Sequence, residues 1–322
     1  MIRLNSLQYN PLSLPNVESN LSPNPFDTTL FDAQSQKLCK QFGYSKLKTF
    51  AFSKEGFLGL LLELQGNIGI GLGETQALYE AGKLYEKLGF SIHWIPLTEE
   101  GFLDVETLTS LKLDYFFVSS YVSDTYVTID LNTVKEKTQA KILSNATAQQ
   151  SQESDALYFD NYKLSGFNSS GVLLFDDHSF ALLPVGTIDT LGVSLLLQGL
   201  EQQHFNLTLK EQFQVSLEEQ FQEKLFYFVK PTNTLAYTLH IGLKGIKARE
   251  LIYAMAFREI YLSNGEGCSL GLSKPSRILQ HMGYTQDECR EALHLSFSKS
   301  LNTQQIQNTI SALYLEYMQL KA

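Results

Sequence analysis

The stretch Asp155–Phe175, DALYFDNYKLSGFNSSGVLLF, sets one lysine, Lys163, between two strand-like apolar runs. Ala156 to Phe159 form the first run and Val172 to Phe175 the second, with Gly166, Asn168, Ser169, Ser170 and Gly171 supplying turn chemistry between them. An amine held in a tight turn between buried strands can be aimed, and a dry setting lowers its pKa toward the neutral, nucleophilic form. The plain reading of the same residue is a solvated loop lysine, and on these residues alone both readings stand.

Other chemistry-bearing patterns are weaker. Gly66, Gly69, Gly71 and Gly73 invite a phosphate-loop reading, but their spacing is not GxGxxG and no GK[ST] follows, so no nucleotide site is expected. Cys39, Cys268 and Cys289 lie far apart, without metal-ligand or paired-disulfide spacing, which suits a reducing compartment.

The elements that must position Lys163 read as α/β. A short strand after Thr49, a helix around Phe57–Leu64, the small-residue strand of residues 67–74 and a helix closing at Gly89 come first. FSIHWIPL reads as a strand, LDVETLTSLKL as a helix and DYFFVSSYV as a strongly apolar strand. A helical stretch before Lys141 and the strand opening KILSNATAQQ lead into the lysine segment. This alternation implies a mostly parallel sheet.

Thr187–Gln203 and Thr208–Phe228 carry helical periodicity, and the remainder alternates short strands and helices up to a final helix, Thr303–Leu320. We therefore expect a large domain over residues 1–205, with an N-terminal arm to about residue 30 that Pro11, Pro15, Pro23 and Pro25 keep extended. A smaller α+β domain is expected over residues 206–322. At 322 residues the chain can bury a large core. Its net charge of −9 and scattered basic residues give no footprint for nucleic acid. No apolar run approaches the roughly 18 residues that span a bilayer, and the first residues lack a signal-peptide core. A cytoplasmic protein handling small molecules or proteins is expected.

The order of elements resembles that of the cysteine desulfurases, pyridoxal-phosphate (PLP) enzymes of the class V aminotransferase group, over roughly residues 45–315. Asp160-Asn161-Tyr162-Lys163 followed by GFNSSGVLLF is similar to the family's Ser-Gly-His-Lys segment and its glycine-rich turn. The resemblance implies that Lys163 forms the Schiff base with PLP, with Asp160 and Tyr162 beside the cofactor. SNGEGCSLGLSKPSRIL, residues 263–279, is similar to the family's Ser-Ser-Gly-Ser-Ala-Cys stretch and puts Cys268 on the persulfide-forming cysteine. Gly186-Thr187 resembles the family's Gly-Thr-Glu-Asn segment, implying a phosphate contact from Thr187, although a helix N-cap explains that threonine equally well. The fold implied is that of the type I PLP-dependent transferases, built as homodimers, with a small amino acid such as cysteine as substrate and a sulfur-acceptor protein as partner.

The chain departs from the family where the cofactor would sit. Asn145 stands for the aspartate that protonates the pyridinium nitrogen, so an amide replaces a charge. Thr75 stands for the ring-stacking histidine, and Ser123-Asp124 for an asparagine pair. Asp160 replaces a phosphate-binding serine; like charges about 4 Å apart repel by roughly 1 kcal/mol in water and about 4 kcal/mol at an effective dielectric of 20. His294 stands for the arginine that grips the substrate carboxylate, without its bidentate fork.

Three functions are compatible with these residues. The first is a diverged desulfurase-like protein with weakened or lost PLP catalysis and a role in sulfur or iron–sulfur handling. The second is a working PLP enzyme using Lys163 and Cys268. The third, a PLP-free enzyme, has only the polar set Asp124, Asp160, Tyr162 and His294 to support it.

Overall fold

A computed structural model describes residues 1–7, 29–149, 153–166, 170–176, 180, 189–265, 267–269 and 272–321, with backbone alone at 267–269, 272 and 273. In chain order the elements begin β1 (Ile2–Arg3), α1 (Thr29–Phe42), β2 (Lys46–Ala51), α2 (Lys54–Leu64), β3 (Ile68–Gly71), α3 (Gln76–Lys87) and β4 (Ile92–Ile95). They continue with β5 (Tyr115–Phe117), α4 (Leu131–Lys137), β6 (Lys141–Asn145), β7 (Ala156–Asp160), α5 (Asn161–Ser165), β8 (Ser170–Phe175), α6 (Thr190–Gln202) and α7 (Leu209–Phe221). Next come β9 (Leu225–Phe226), β10 (Thr238–Leu243), α8 (Ala248–Ala256), β11 (Ile260–Tyr261), β12 (Gly267–Ser269) and β13 (Leu272–Lys274). α9 (Arg277–His281), α10 (Gln286–Arg290), β14 (Ala292–Ser296) and α11 (Thr303–Lys321) follow.

A seven-stranded sheet in the order β2-β8-β7-β6-β5-β3-β4 forms the centre. Only β8 runs against its neighbours; the pairs from β7 to β4 are parallel. The mostly parallel sheet expected from the alternating text is thus what forms. Every residue of β3, β7 and β8 is buried, as a sheet with helices on both faces requires. Successive residues of β7 point to opposite faces: Tyr158 packs with Phe57, Leu61 and Leu78, while Phe159 packs with Leu38, Val193 and Leu196.

A three-stranded antiparallel sheet, β14-β10-β9, organises the C-terminal elements. Its apolar face packs against Phe213 and Leu217 of α7, Leu251 of α8 and Leu313 of α11. Leu4 joins this core, because β1 pairs in parallel with β11 at the other end of the chain.

Three local readings change. LDVETLTSLKL forms a six-residue 3-10 turn, Val105–Ser110, rather than an α-helix. There Thr109 Oγ1 and Ser110 Oγ donate to the carbonyls of Glu106 and Thr107 at 2.8 and 3.2 Å, competing for acceptors a helix would use. The helix expected over Thr208–Phe228 stops at Phe221, where Gln222 turns to φ +49 and the chain enters β9 to pair with β10. The loop expected to carry Lys163 is a short helix, α5. Among the described residues no helix is long and apolar enough to cross a membrane.

Candidate functional site

Ligands of open α/β sheets bind outside the carboxyl ends of the strands, where loops diverge. At that edge β3, β5, β6 and β7 deliver Gly71, Phe117, Asn145 and Asp160. The residues that follow them are polar and buried: Glu74 and Thr75, Ser119 and Ser120, Thr147, and Asn161.

Asp160 ends β7 and caps α5, its carboxylate accepting the backbone N–H of Lys163 at 3.3 Å. Its own N–H donates to Thr147 Oγ1 at 2.8 Å. Gly166 closes α5 in the left-handed region at φ +77, a conformation glycine adopts freely. Asn161, fully buried, donates through Nδ2 to the Gly192 carbonyl at 2.8 Å and so ties α5 to α6. Within this short helix Asn161 is buried, Tyr162 exposed and Lys163 half-buried. Burial pushes the Asp160 carboxyl above its usual range, and the Lys163 charge partly offsets that.

Asn145 is held by its neighbours. Its N–H donates to Ser119 Oγ at 2.9 Å, and its side-chain Oδ1 accepts the N–H of Thr147 at 2.9 Å. Thr75 caps α3 in position but not by bonding, and its buried Oγ1 has no hydrogen-bond partner among the described residues.

His294 comes from the other sheet. It lies opposite His240 in the β10–β14 register, with ring centroids 4.4 Å apart and the Tyr126 ring 5.9 Å away. Both imidazoles are buried. Burial, then the positive charge of Lys163, push His294 down to about 3. Burial, then His294, hold His240 well below the usual histidine range, against an opposing pull from Asp124. The two sheets thus bring Lys163 within electrostatic reach of both Asp160 and His294, with Asn145 at the end of the neighbouring β6 and Thr75 at the start of α3.

Thr187 lies outside the described residues. The backbone of Cys268 sits in β12, opposite Ser273 of β13, and its side chain lies outside the description. Lys54, at the start of α2, is exposed and 3.7 Å from Glu55.

Four residues of this region were not picked out from sequence. Glu74 is buried and accepts Ser119 Oγ at 2.7 Å and Tyr158 OH at 2.6 Å. Burial raises its carboxyl, while both hydroxyls pull the other way. Its signal was available, since Glu74 is the lone charge in the run from Asn67 to Tyr79. His240, Tyr158 and Arg277 carried no such mark; His294, Glu74 and Leu72, the partners they meet in this region, lie 54, 84 and 205 residues away in sequence.

No family model and no curated protein matches the chain. Solved structures do. A NifS-like protein superposes with a TM-score of 0.76 at 13% identity, covering 98% of both chains. The NifS-like protein from Rickettsia africae ESF-5 gives 0.73 at 17% identity, covering 99% of both. A cysteine desulfurase from Thermococcus onnurineus NA1, in its apo form, gives 0.68 at 14% identity, covering 91% of this chain and 85% of its own. At such identities the likeness speaks for architecture, and the chain has the α/β fold of the NifS-like proteins.

Proposed function

We propose that this chain is a diverged relative of the cysteine desulfurases that keeps their architecture while its PLP chemistry is weakened or lost. Its role in this reading is in sulfur or iron–sulfur handling, as a homodimer or as a partner of a working desulfurase. A division near residue 205 into a large and a small domain belongs to the same reading.

The observation that carries it is Asp160. A buried carboxylate caps α5 beside Lys163, where the resemblance puts the cofactor phosphate. Two further features agree. Asn145 offers an amide already turned to the Thr147 N–H, and an amide cannot hold a ring proton by charge. Thr75 supplies no aromatic plane. This donor set does not fit a dianionic phosphate cofactor. Groups that catalyse as a unit lose far more together than singly.

The retention of both Lys163 and Cys268 favours the second reading, a working desulfurase. Incubation of the protein with PLP, followed by dialysis and borohydride, separates the two. The proposal expects a colourless protein and no adduct mapped to Lys163. Retained visible absorbance, a fixed Lys163 adduct and cysteine-dependent sulfide release that disappears in Cys268→Ala would overturn it.

A further inference from the structure

The antiparallel pair β12–β13, which carries Cys268, has two stems, and both converge on Asp124. On the incoming side stands Gly265. A Cβ there would lie 2.8 Å from Asp124 Oδ2, closer than real Cβ atoms come, and 3.0 Å from Ser276 Cβ, a tight contact, so a side chain at this position must push on the carboxylate or on Ser276. On the outgoing side the buried Ser276 donates its hydroxyl to Asp124 Oδ2 at 2.7 Å. Ser276 Oγ in turn accepts the Leu279 N–H at 3.3 Å and caps α9.

The next residue makes a second attachment. Arg277 reaches across to the β3–α3 turn, where Nη1 donates to the Leu72 carbonyl at 2.7 Å and Nη2 to the Glu74 carbonyl at 2.6 Å. Nε donates to Gln76 Oε1 at 3.0 Å, and the guanidinium lies 4.2 Å from the centroid of the Tyr79 ring. Three donors in a planar fork and an aromatic face are a combination that lysine could not reproduce.

Asp124 is itself held under constraint. It adopts φ +65, a region aspartate tolerates better than most residues. The turn around it is closed by Val122 N–H to the Val127 carbonyl at 2.8 Å and Tyr126 N–H to the Val122 carbonyl at 2.9 Å. A rigid turn from the large sheet therefore presents one carboxylate to both stems.

We infer that Asp124 and Arg277 are positioning residues, a two-point clasp that fixes the base of the Cys268-bearing strand pair against the carboxyl ends of the large sheet. The clasp presents Cys268 from an anchored base, so a sulfur donor or acceptor must come to it. That consequence rests on the proposed role of Cys268; the clasp does not.

Hydrogen–deuterium exchange on the full-length chain tests it. In Asp124→Ala and in Arg277→Met, amides of residues 265–276 should exchange about tenfold faster or more, while those of α11 keep their rate. Asp124→Asn, which retains an acceptor and tolerates the same backbone, should restore most of the protection. Gly265→Ala, a change to neither clasp residue, should loosen the same segment by pushing on Asp124. Unchanged exchange in residues 265–276, or a rise in step with α11, would overturn the clasp. The readout needs neither PLP nor sulfur transfer, so a protein that proves to be a working desulfurase would sink the functional reading and leave this result standing.

Discussion

Asp160 and Lys163 face each other across the first turn of α5. The carboxylate accepts the lysine's own backbone N–H at 3.3 Å, and the lysine's positive charge offsets part of the burial that raises that carboxyl. One residue thus starts the helix that holds the amine and, in the proposed reading, stands where the desulfurases have a phosphate-binding serine.

Asp160→Ser separates these two jobs. Serine caps helices about as well as aspartate, so the fold should lose less than about 1 kcal/mol. Removing a like charge that costs roughly 1 to 4 kcal/mol should tighten PLP binding at least about fivefold. Equilibrium dialysis of PLP against wild type and variant measures this; equal retention would mean that the carboxylate is not what excludes the phosphate.

The buried imidazole of His294 makes stability depend on pH. Its folded pKa, pushed down to about 3, lies below the unfolded value, so the unfolded chain binds more protons and stability falls as pH drops from about 6.5 toward 3. Between pH 7 and pH 5 this one group should remove about 2 kcal/mol. Glu74 and Asp160, whose carboxyls burial raises, act in the opposite sense as pH falls. The readout is therefore the difference in urea stability between wild type and His294→Gln, which should narrow by about that amount from pH 7 to pH 5. A difference that does not change with pH would show that His294 does not stay neutral in the fold.

Tyr158→Phe keeps the packing of a fully buried ring and deletes the hydroxyl that donates to Glu74 at 2.6 Å. A buried carboxyl left with Ser119 as its side-chain donor should cost about 1 to 3 kcal/mol. Denaturant unfolding of the variant, with an unchanged m-value, checks the magnitude.

Leu4→Ala tests whether the first residues belong to the C-terminal core. Leu4 is 1% exposed among Phe213, Leu217 and Leu251, so the truncation should cost about 2 to 5 kcal/mol. Exchange protection should fall first in β11 and β14, not in the seven-stranded sheet; the reverse order would place the N-terminal strand elsewhere energetically.

By itself the sequence determined the alternation of strands and helices, and with it a mostly parallel sheet with a lysine segment between β7 and β8. Those features depend on local periodicity, which repeats every two or 3.6 residues and survives in the text. It also marked Lys163 by its setting between two apolar runs, and Asn145, Thr75, Asp160 and His294 through the resemblance to the desulfurases. Tertiary structure alone decided which of them meet. His294 reaches the Lys163 charge because β14 lies beside β10 in a second sheet, and Ser276 meets Asp124 across 152 residues of chain. It also decided where α7 ends, since the pairing of β9 with β10 takes over from helical periodicity at Gln222. Side chains so distant in sequence leave no periodic trace of their contact, because the free energy that joins them comes from burial and packing that exist only once the sheets have formed.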